Sequence, residues 1–233
     1  MRPITTKILA DTADLVEMRA VSSFVEGFTT NPSLLKQAGV GSYTEFIGQA
    51  LTIAGDRPIS FEVLADDFVD MAEQARSLSE WGKNVFVKIP ITNSKGESAA
   101  PLIRELSAEG IKLNVTAILH RLQVERAVEA LVGKAPSFIS IFAGRIADTG
   151  VDPAPLMLAM SHYVRRANAF LLWASAREVY NVVQASECVV PYITLSPSLI
   201  RKLPLLGRDP IQYSLETVRE FYRDAQHVER VLS

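Results

Sequence analysis

Short β-branched or apolar runs alternate with helix-length amphipathic stretches along the whole 233-residue chain. Runs at 7–11, 27–30, 59–64 and 85–89 read as strands, as do 111–116, 138–142, 170–174 and 189–194. Stretches over 68–81, 123–131, 155–166 and 178–186 read as helices between them. In 68–81, Phe68, Met71, Ala72, Ala75, Leu78 and Trp81 recur at steps of three and four, the stripe of a helix laid on a sheet. Asp11-Thr12 reads as a cap for a helix with Val16, Ala20 and Val21 on its inner face, and Gly82 and Gly110 read as C′ stops. Alternating βα units imply parallel strands joined by right-handed crossovers. Eight of them favour an α/β fold closed into a (β/α)8 TIM barrel, one domain spanning 1–233. An open doubly wound sheet is the competing arrangement. No Gly-x-Gly-x-x-Gly turn follows a strand, which weighs against its dinucleotide-binding form.

Strand side chains alternate between faces, so parity sorts each run into barrel interior and helix-facing exterior. In the fourth strand Val85, Val87 and Ile89 face the helices, while Phe86 and Lys88 point inward. Ser60 and Glu62 point inward from the third strand, Asn114 and Thr116 from the fifth, Ser140 and Phe142 from the sixth. The first strand ends in Asp11 and the second runs into Asn31. The inward polar residues therefore gather toward the carboxyl ends of neighbouring strands, the rim on which barrel enzymes build their sites. Ser175 and Arg177 after the seventh strand, with Arg145 after the sixth, suggest a phosphate site at a helix N-terminus.

Taken singly, each residue has an ordinary reading. Lys88 is an ion-pair partner or a strand-end lysine reaching solvent, Glu62 its counter-ion, and Asp11 a helix cap. Asn31-Pro32 is a common helix start, Arg145 and Arg177 are rim arginines, and His120 is a loop histidine. Trp81 and Tyr180 read as helix–sheet contacts and Cys188 as core. The conjunction of inward parity with rim position on five successive strands is what such readings leave unexplained. A lysine buried there is either paired with a carboxylate or held as a neutral, nucleophilic amine.

Composition narrows the setting. Hydrophobic residues make up 48% and charged residues 21%, ample for a core, and the net charge of −2 suggests neither a nucleic-acid nor an anionic-membrane partner. A single cysteine fits a reducing compartment. His120, His162 and His227 show no metal-ligand spacing. The amino-terminal stretch lacks a signal-type apolar region and no run reaches the length of a membrane span, so a soluble cytoplasmic protein is expected.

The stretches Thr29-Thr30-Asn31-Pro32-Ser33-Leu34 and Val87-Lys88-Ile89-Pro90 resemble the transaldolase family. Leu9-Ala10-Asp11-Thr12-Ala13-Asp14, Leu113-Asn114-Val115-Thr116, Ser140-Ile141-Phe142-Ala143-Gly144-Arg145 and Ala174-Ser175-Ala176-Arg177 match it in the same order, from residue 9 to about 177. The length is similar to that of the short bacterial-type branch, which is related to the fructose-6-phosphate aldolases. Some positions depart from the pattern: Phe28 replaces a small residue, Ile141 stands where proline is common, and Trp173, Tyr192 and 203–206 have no counterpart. Bulk from Phe28 or Trp173 near the mouth would alter acceptor choice.

The resemblance implies a Schiff-base lysine at Lys88, a proton-transferring aspartate at Asp11 and a Glu62–water–Thr116 relay. It implies that Thr29, Thr30, Asn31, Asn114, Ser140, Phe142, Arg145, Ser175 and Arg177 contact the substrate. The implied reaction transfers a dihydroxyacetone unit from sedoheptulose 7-phosphate or fructose 6-phosphate to glyceraldehyde 3-phosphate or erythrose 4-phosphate, in the pentose phosphate pathway, without metal or organic cofactor. Glu62 and Phe142 match the transferases, where the aldolases carry Gln and Tyr. Two alternatives remain open: an aldolase releasing free dihydroxyacetone, and a catalytically silent barrel binding sugar phosphates. The amphipathic stretch 215–231 is the expected contact of a homo-oligomer, a pentamer or decamer.

Overall fold

The computed structural model describes residues 4–232, without the side chains of residues 227 and 229–232. Residues 1–3, part of the segment read as lacking a signal region, lie outside it, as do the side chains of His227 and Val231. Eight parallel strands close into a barrel in sequence order. They are β1 (Lys7–Asp11), β2 (Gly27–Thr29), β3 (Ile59–Glu62) and β4 (Val85–Pro90), then β5 (Leu113–Ile118), β6 (Ser137–Ile141), β7 (Ala169–Trp173) and β8 (Tyr192–Leu195). The closed form, not the open sheet, is the fold.

Helices cover the barrel. The first five are α1 (Leu15–Val21), α2 (Pro32–Gln37), α3 (Tyr43–Ala54), α4 (Phe68–Ser79) and α5 (Ala100–Ala108). Beyond them come α6 (Arg121–Ala130), α7 (Ala143–Asp148), α8 (Ala154–Tyr163), α9 (Tyr180–Glu187), α10 (Pro197–Ile200) and α11 (Pro210–Leu232). In α4 the stripe buries Met71, Ala72, Ala75 and Leu78, whereas Trp81 lies past the helix end and is exposed. Tyr180, at the start of α9, is also exposed, so neither aromatic is a buried helix–sheet contact. Among the described residues, no helix is long and apolar enough to cross a membrane.

Among the described residues, the buried hydrophobic side chains form two separate clusters. The larger lies between strands and helices and takes Val85, Val87 and Ile89 of β4 with Phe61, Val115 and Ile139 from other strands. The smaller fills the barrel floor: Leu9, Phe86, Phe138 and Leu172, with Tyr192 packed against them. Phe138 is its centre, with ring centroids 4.6 Å from Phe86, 5.1 Å from Tyr192 and 5.9 Å from Phe170. This plug closes the amino-terminal end and leaves the upper interior to polar side chains.

Several sequence expectations change. Asp14, not Asp11-Thr12, caps α1, accepting from the backbone N–H groups of Val16 and Glu17. Met18 and Val21 form the buried face, while Val16 and Ala20 are exposed. Asp11 is unavailable as a cap because its carboxylate is held inside the barrel by Thr29. Gly110 has the left-handed φ of +84° expected of a C′ glycine. Gly82 has no positive φ; a Cβ there would instead meet Asn84 Oδ1 at 2.9 Å. The eighth strand starts at Tyr192, since Val189 turns the chain with φ +57°.

His120 is the N-cap of α6, its Nδ1 accepting from Leu122 N–H at 3.2 Å. Cys188 is core, as read from sequence. Phe28 and Trp173 are fully buried on the outer, helix-facing side of β2 and β7, packed away from the mouth, because Thr29 and Leu172 beside them take the inward positions. Their bulk therefore does not reach the cavity.

Phe138→Ala should cost about 3–5 kcal/mol through loss of buried area and an unfilled cavity under the site. Urea denaturation of wild type and variant measures this; a loss under about 1 kcal/mol would mean the floor is not packed as described.

Candidate active site

Register brings the polar positions level at the carboxyl end of the barrel. Asp11 pairs with Thr29, Glu62 with Lys88, Lys88 with Asn114, and Pro90 with Thr116. A cavity of about 300 Å³ opens there. Asp11, Thr29, Asn31, Lys88, Asn114 and Thr116 line one side, and Ser140, Phe142, Arg145, Ser175 and Arg177 the other.

Lys88 is 5% exposed. Its Nζ donates to the Thr30 carbonyl oxygen at 2.6 Å and sits 2.9 Å from Glu62 Oε2. Of the two states open to a buried lysine, the structure shows the ion pair. Glu62 lies behind Lys88 rather than on the cavity wall. Thr30 also departs from expectation. Its hydroxyl donates to the Ser60 carbonyl, away from the cavity, and only its main-chain oxygen serves the site. Tyr43 donates to the Glu62 carbonyl at 2.9 Å, and burial pushes its phenol well above the usual range.

Asp11 faces the lysine from across the barrel. Burial raises its carboxyl above the ordinary 3.8; Lys88 and the Thr29 hydrogen bond oppose that shift, and Glu62 adds to it. Thr29 Oγ1 donates to Asp11 Oδ1 at 2.7 Å. On the other flank Ser140 donates to Asn114 Oδ1 at 2.6 Å, and the Asn114 amide donates to Ser60 Oγ at 3.0 Å. These bonds fix the orientation of the Asn114 side chain. Asn31 caps α2 through its Oδ1, which accepts from Leu34 N–H, as its place before Pro32 suggested.

Thr116 is different. Its Oγ1 is buried with no hydrogen-bond partner, and the β5–β6 register shifts between Val115 and Ile118. Ala117, the next residue, has φ +59°, a strained value for alanine. An unpartnered buried hydroxyl costs roughly 1–3 kcal/mol, and Thr116 is one of the residues that line the cavity.

At the cationic end Arg145 is exposed, with its guanidinium 5.1 Å over the Phe142 ring. Arg177 pairs with Asp148. Ser175 and Arg177 lie in the loop before α9 and not in its first turn; the helix starts at Tyr180, and Asn181 Oδ1 accepts from the N–H groups of Arg177 and Glu178. Gly144 permits the close approach of this loop, since a Cβ there would fall 1.7 Å from the Ser175 carbonyl.

Leu172, Ala174, Ala176, Thr194 and Ser196 also line the cavity and were not singled out from sequence. Inward parity on the eighth strand carried the signal for Thr194, and the Ser196-Pro197 helix start carried it for Ser196.

The family model described as Transaldolase/Fructose-6-phosphate aldolase matches residues 8–232. A protein of Listeria monocytogenes named "Probable transaldolase 2" is 34% identical over 84% of this chain and 88% of its own length. A "Probable transaldolase" of Methanococcus maripaludis is 34% identical over 84% of this chain and 89% of that protein. A mutant flavocytochrome b2 with benzoylformate superposes with a TM-score of 0.56 at 14% identity, over 94% of this chain and 63% of its own, a likeness of fold alone. The fold and site define a barrel with a buried lysine–carboxylate cluster at its carboxyl rim. The chain belongs to the transaldolase/fructose-6-phosphate aldolase family.

The raised Asp11 carboxyl has a stability consequence. The folded chain retains a proton that the unfolded chain releases above about 3.8, so stability falls as pH rises through the window up to the folded value. Asp11→Asn should therefore be more stable than wild type at neutral pH, with the gain vanishing below that window. Thermal unfolding across pH tests this, and an Asn variant less stable at pH 7 would contradict it.

Proposed function

We propose that the protein is a transaldolase that moves a dihydroxyacetone unit from a ketose phosphate to an aldose phosphate through a Schiff base on Lys88. The observation that carries this reading is the burial of the Lys88 amine between Glu62 and the Thr30 carbonyl, on the wall of a cavity shared with Asp11. Glu62 takes a proton from the ammonium, and the freed amine attacks the ketose carbonyl. Loss of water, aided by Glu62 and Thr116, leaves an iminium. Asp11 then removes the C4 hydroxyl proton, the C3–C4 bond breaks and its electrons flow into the iminium. The aldehyde leaves and a three-carbon enamine stays on Lys88.

A second aldose phosphate accepts the enamine carbon, its new alkoxide is protonated by Asp11, and water releases the product from Lys88. Arg145, Arg177 and Ser175 hold the phosphate, while Asn31, Asn114 and Ser140 meet sugar hydroxyls. Glu62 and Phe142, the residues that resemble the transferases and not the aldolases, support transfer over release of free triose.

Self-association accompanies this reading. Helix α11 exposes Ile211, Val218, Phe221, Tyr222 and Val228 along a strongly amphipathic length. Acidic Glu216, Glu220 and Asp224 alternate with basic Arg219 and Arg223 on the same helix, a pattern complementary to itself. A second copy of the chain is the occupant that this face fits.

Incubation with fructose 6-phosphate and borohydride should label Lys88 and leave Lys88→Ala folded, unlabelled and inactive; normal turnover by that variant refutes the reading. Product analysis with erythrose 4-phosphate separates transfer from release of free dihydroxyacetone. Light scattering should give a mass several times the 25.6 kDa chain, falling to one chain in Phe221→Asp.

A further inference from the structure

Thr194 is almost fully buried, points inward from β8 and lines the cavity. Its Oγ1 lies 2.6 Å from Thr29 Oγ1, which in turn donates to Asp11 Oδ1 at 2.7 Å. Each hydroxyl has one proton, and this fixes the direction of the chain. An ionised Asp11 can only accept, so Thr29 gives its proton to Asp11 and Thr194 must give its own to Thr29. In that state Thr194 offers the cavity lone pairs alone. When Oδ1 carries a proton, Asp11 can donate to Thr29, both hydroxyls can rotate, and the Thr194 proton becomes free to face the cavity.

We propose that Thr194 is the cavity end of a reversible hydroxyl chain that follows the protonation of Asp11. It accepts a hydrogen bond from a hydroxyl of a polyhydroxylated substrate while Asp11 is charged and donates one to that oxygen once Asp11 is neutral. Two O–H bonds rotate, and the one proton transferred is the one that Asp11 takes from the substrate. The charged groups that act on Asp11 are Lys88 of β4 and, from behind it, Glu62 of β3, with Arg145 and Arg177 lining the other side of the cavity. Asp14, Glu17 and Arg201 border the adjoining groove. The recognition role rests on the reaction proposed above, whereas the coupling between Thr194 and Asp11 does not.

The coupling is measured by carbon NMR titration of the Asp11 carboxyl, identified by its loss in Asp11→Asn. Thr194→Val keeps the volume and removes the donor. It should raise the proton affinity of Asp11 by about two- to threefold, because Thr29 becomes a weaker donor. Thr29→Val should shift it further in the same direction, and Thr194→Ser should restore the wild-type midpoint. Should valine disturb packing, Thr194→Ala reports the same shift. A midpoint that does not move in either variant, or that serine fails to restore, overturns the coupling.

No sugar is needed for that titration, so failure of the borohydride labelling at Lys88 would count against the reaction and leave the coupling intact. With ketose phosphate, Thr194→Val should lower kcat/KM about tenfold and Thr194→Ser recover it. An unchanged kcat/KM overturns the recognition role.

Discussion

A lysine ammonium enclosed by a barrel must be met by charge and oxygen, and most of the site's geometry follows from that requirement. Desolvating the group costs several kcal/mol, and removing one partner of such a buried pair typically costs about 3–5 kcal/mol. Lys88 is met by the Glu62 carboxylate and the Thr30 carbonyl. Glu62 ends β3, in register with Lys88 on β4, and Thr30 directly follows β2 with its N–H on the Ser60 carbonyl, so the arrangement depends on the β2–β3–β4 alignment. Asp11 is held across the cavity, where the lysine's charge partly offsets the cost of burying a second carboxylate.

The barrel separates what stabilises it from what it presents. The main apolar core lies outside the strands, against the helices, and a small aromatic plug closes the floor. The upper interior is thereby released from packing and filled by side chains in hydrogen-bonded chains, Thr194–Thr29–Asp11 on one flank and Ser140–Asn114–Ser60 on the other. Two of the four described non-glycine residues with positive φ lie at the same rim, Ala117 beside Thr116 and Ser175 with φ +62°. Strain of this kind persists where surrounding structure holds it.

Much of this was legible before folding. The two-residue period of strands assigned Phe86 and Lys88 inward and Val87 and Ile89 outward, and applied to the eighth strand it would have marked Thr194. Errors arose where local chemistry had two uses. Asp11 reads as a cap because aspartate before a helix caps, but Thr29, eighteen residues away, draws its carboxylate into the barrel. The helix expected from 178 begins at Tyr180, and the N–H groups of Arg177 and Glu178 that precede it donate to the Asn181 side chain. Phe28 and Trp173 take the outward parity of their strands, so their bulk stays among the helices and off the cavity wall.

The sequence by itself determined the alternation of strand and helix, the face each strand residue takes and the chemical types gathered at the rim. These follow from short-range periodicity, since side-chain direction is set by backbone geometry one residue at a time. Only the tertiary structure decided that Lys88 is paired, that Glu62 stands behind it and that Thr30 contributes a carbonyl instead of a hydroxyl. It alone joined Thr194 to Asp11. Those facts depend on distances between residues far apart in the chain, which exist only once the strands close in register.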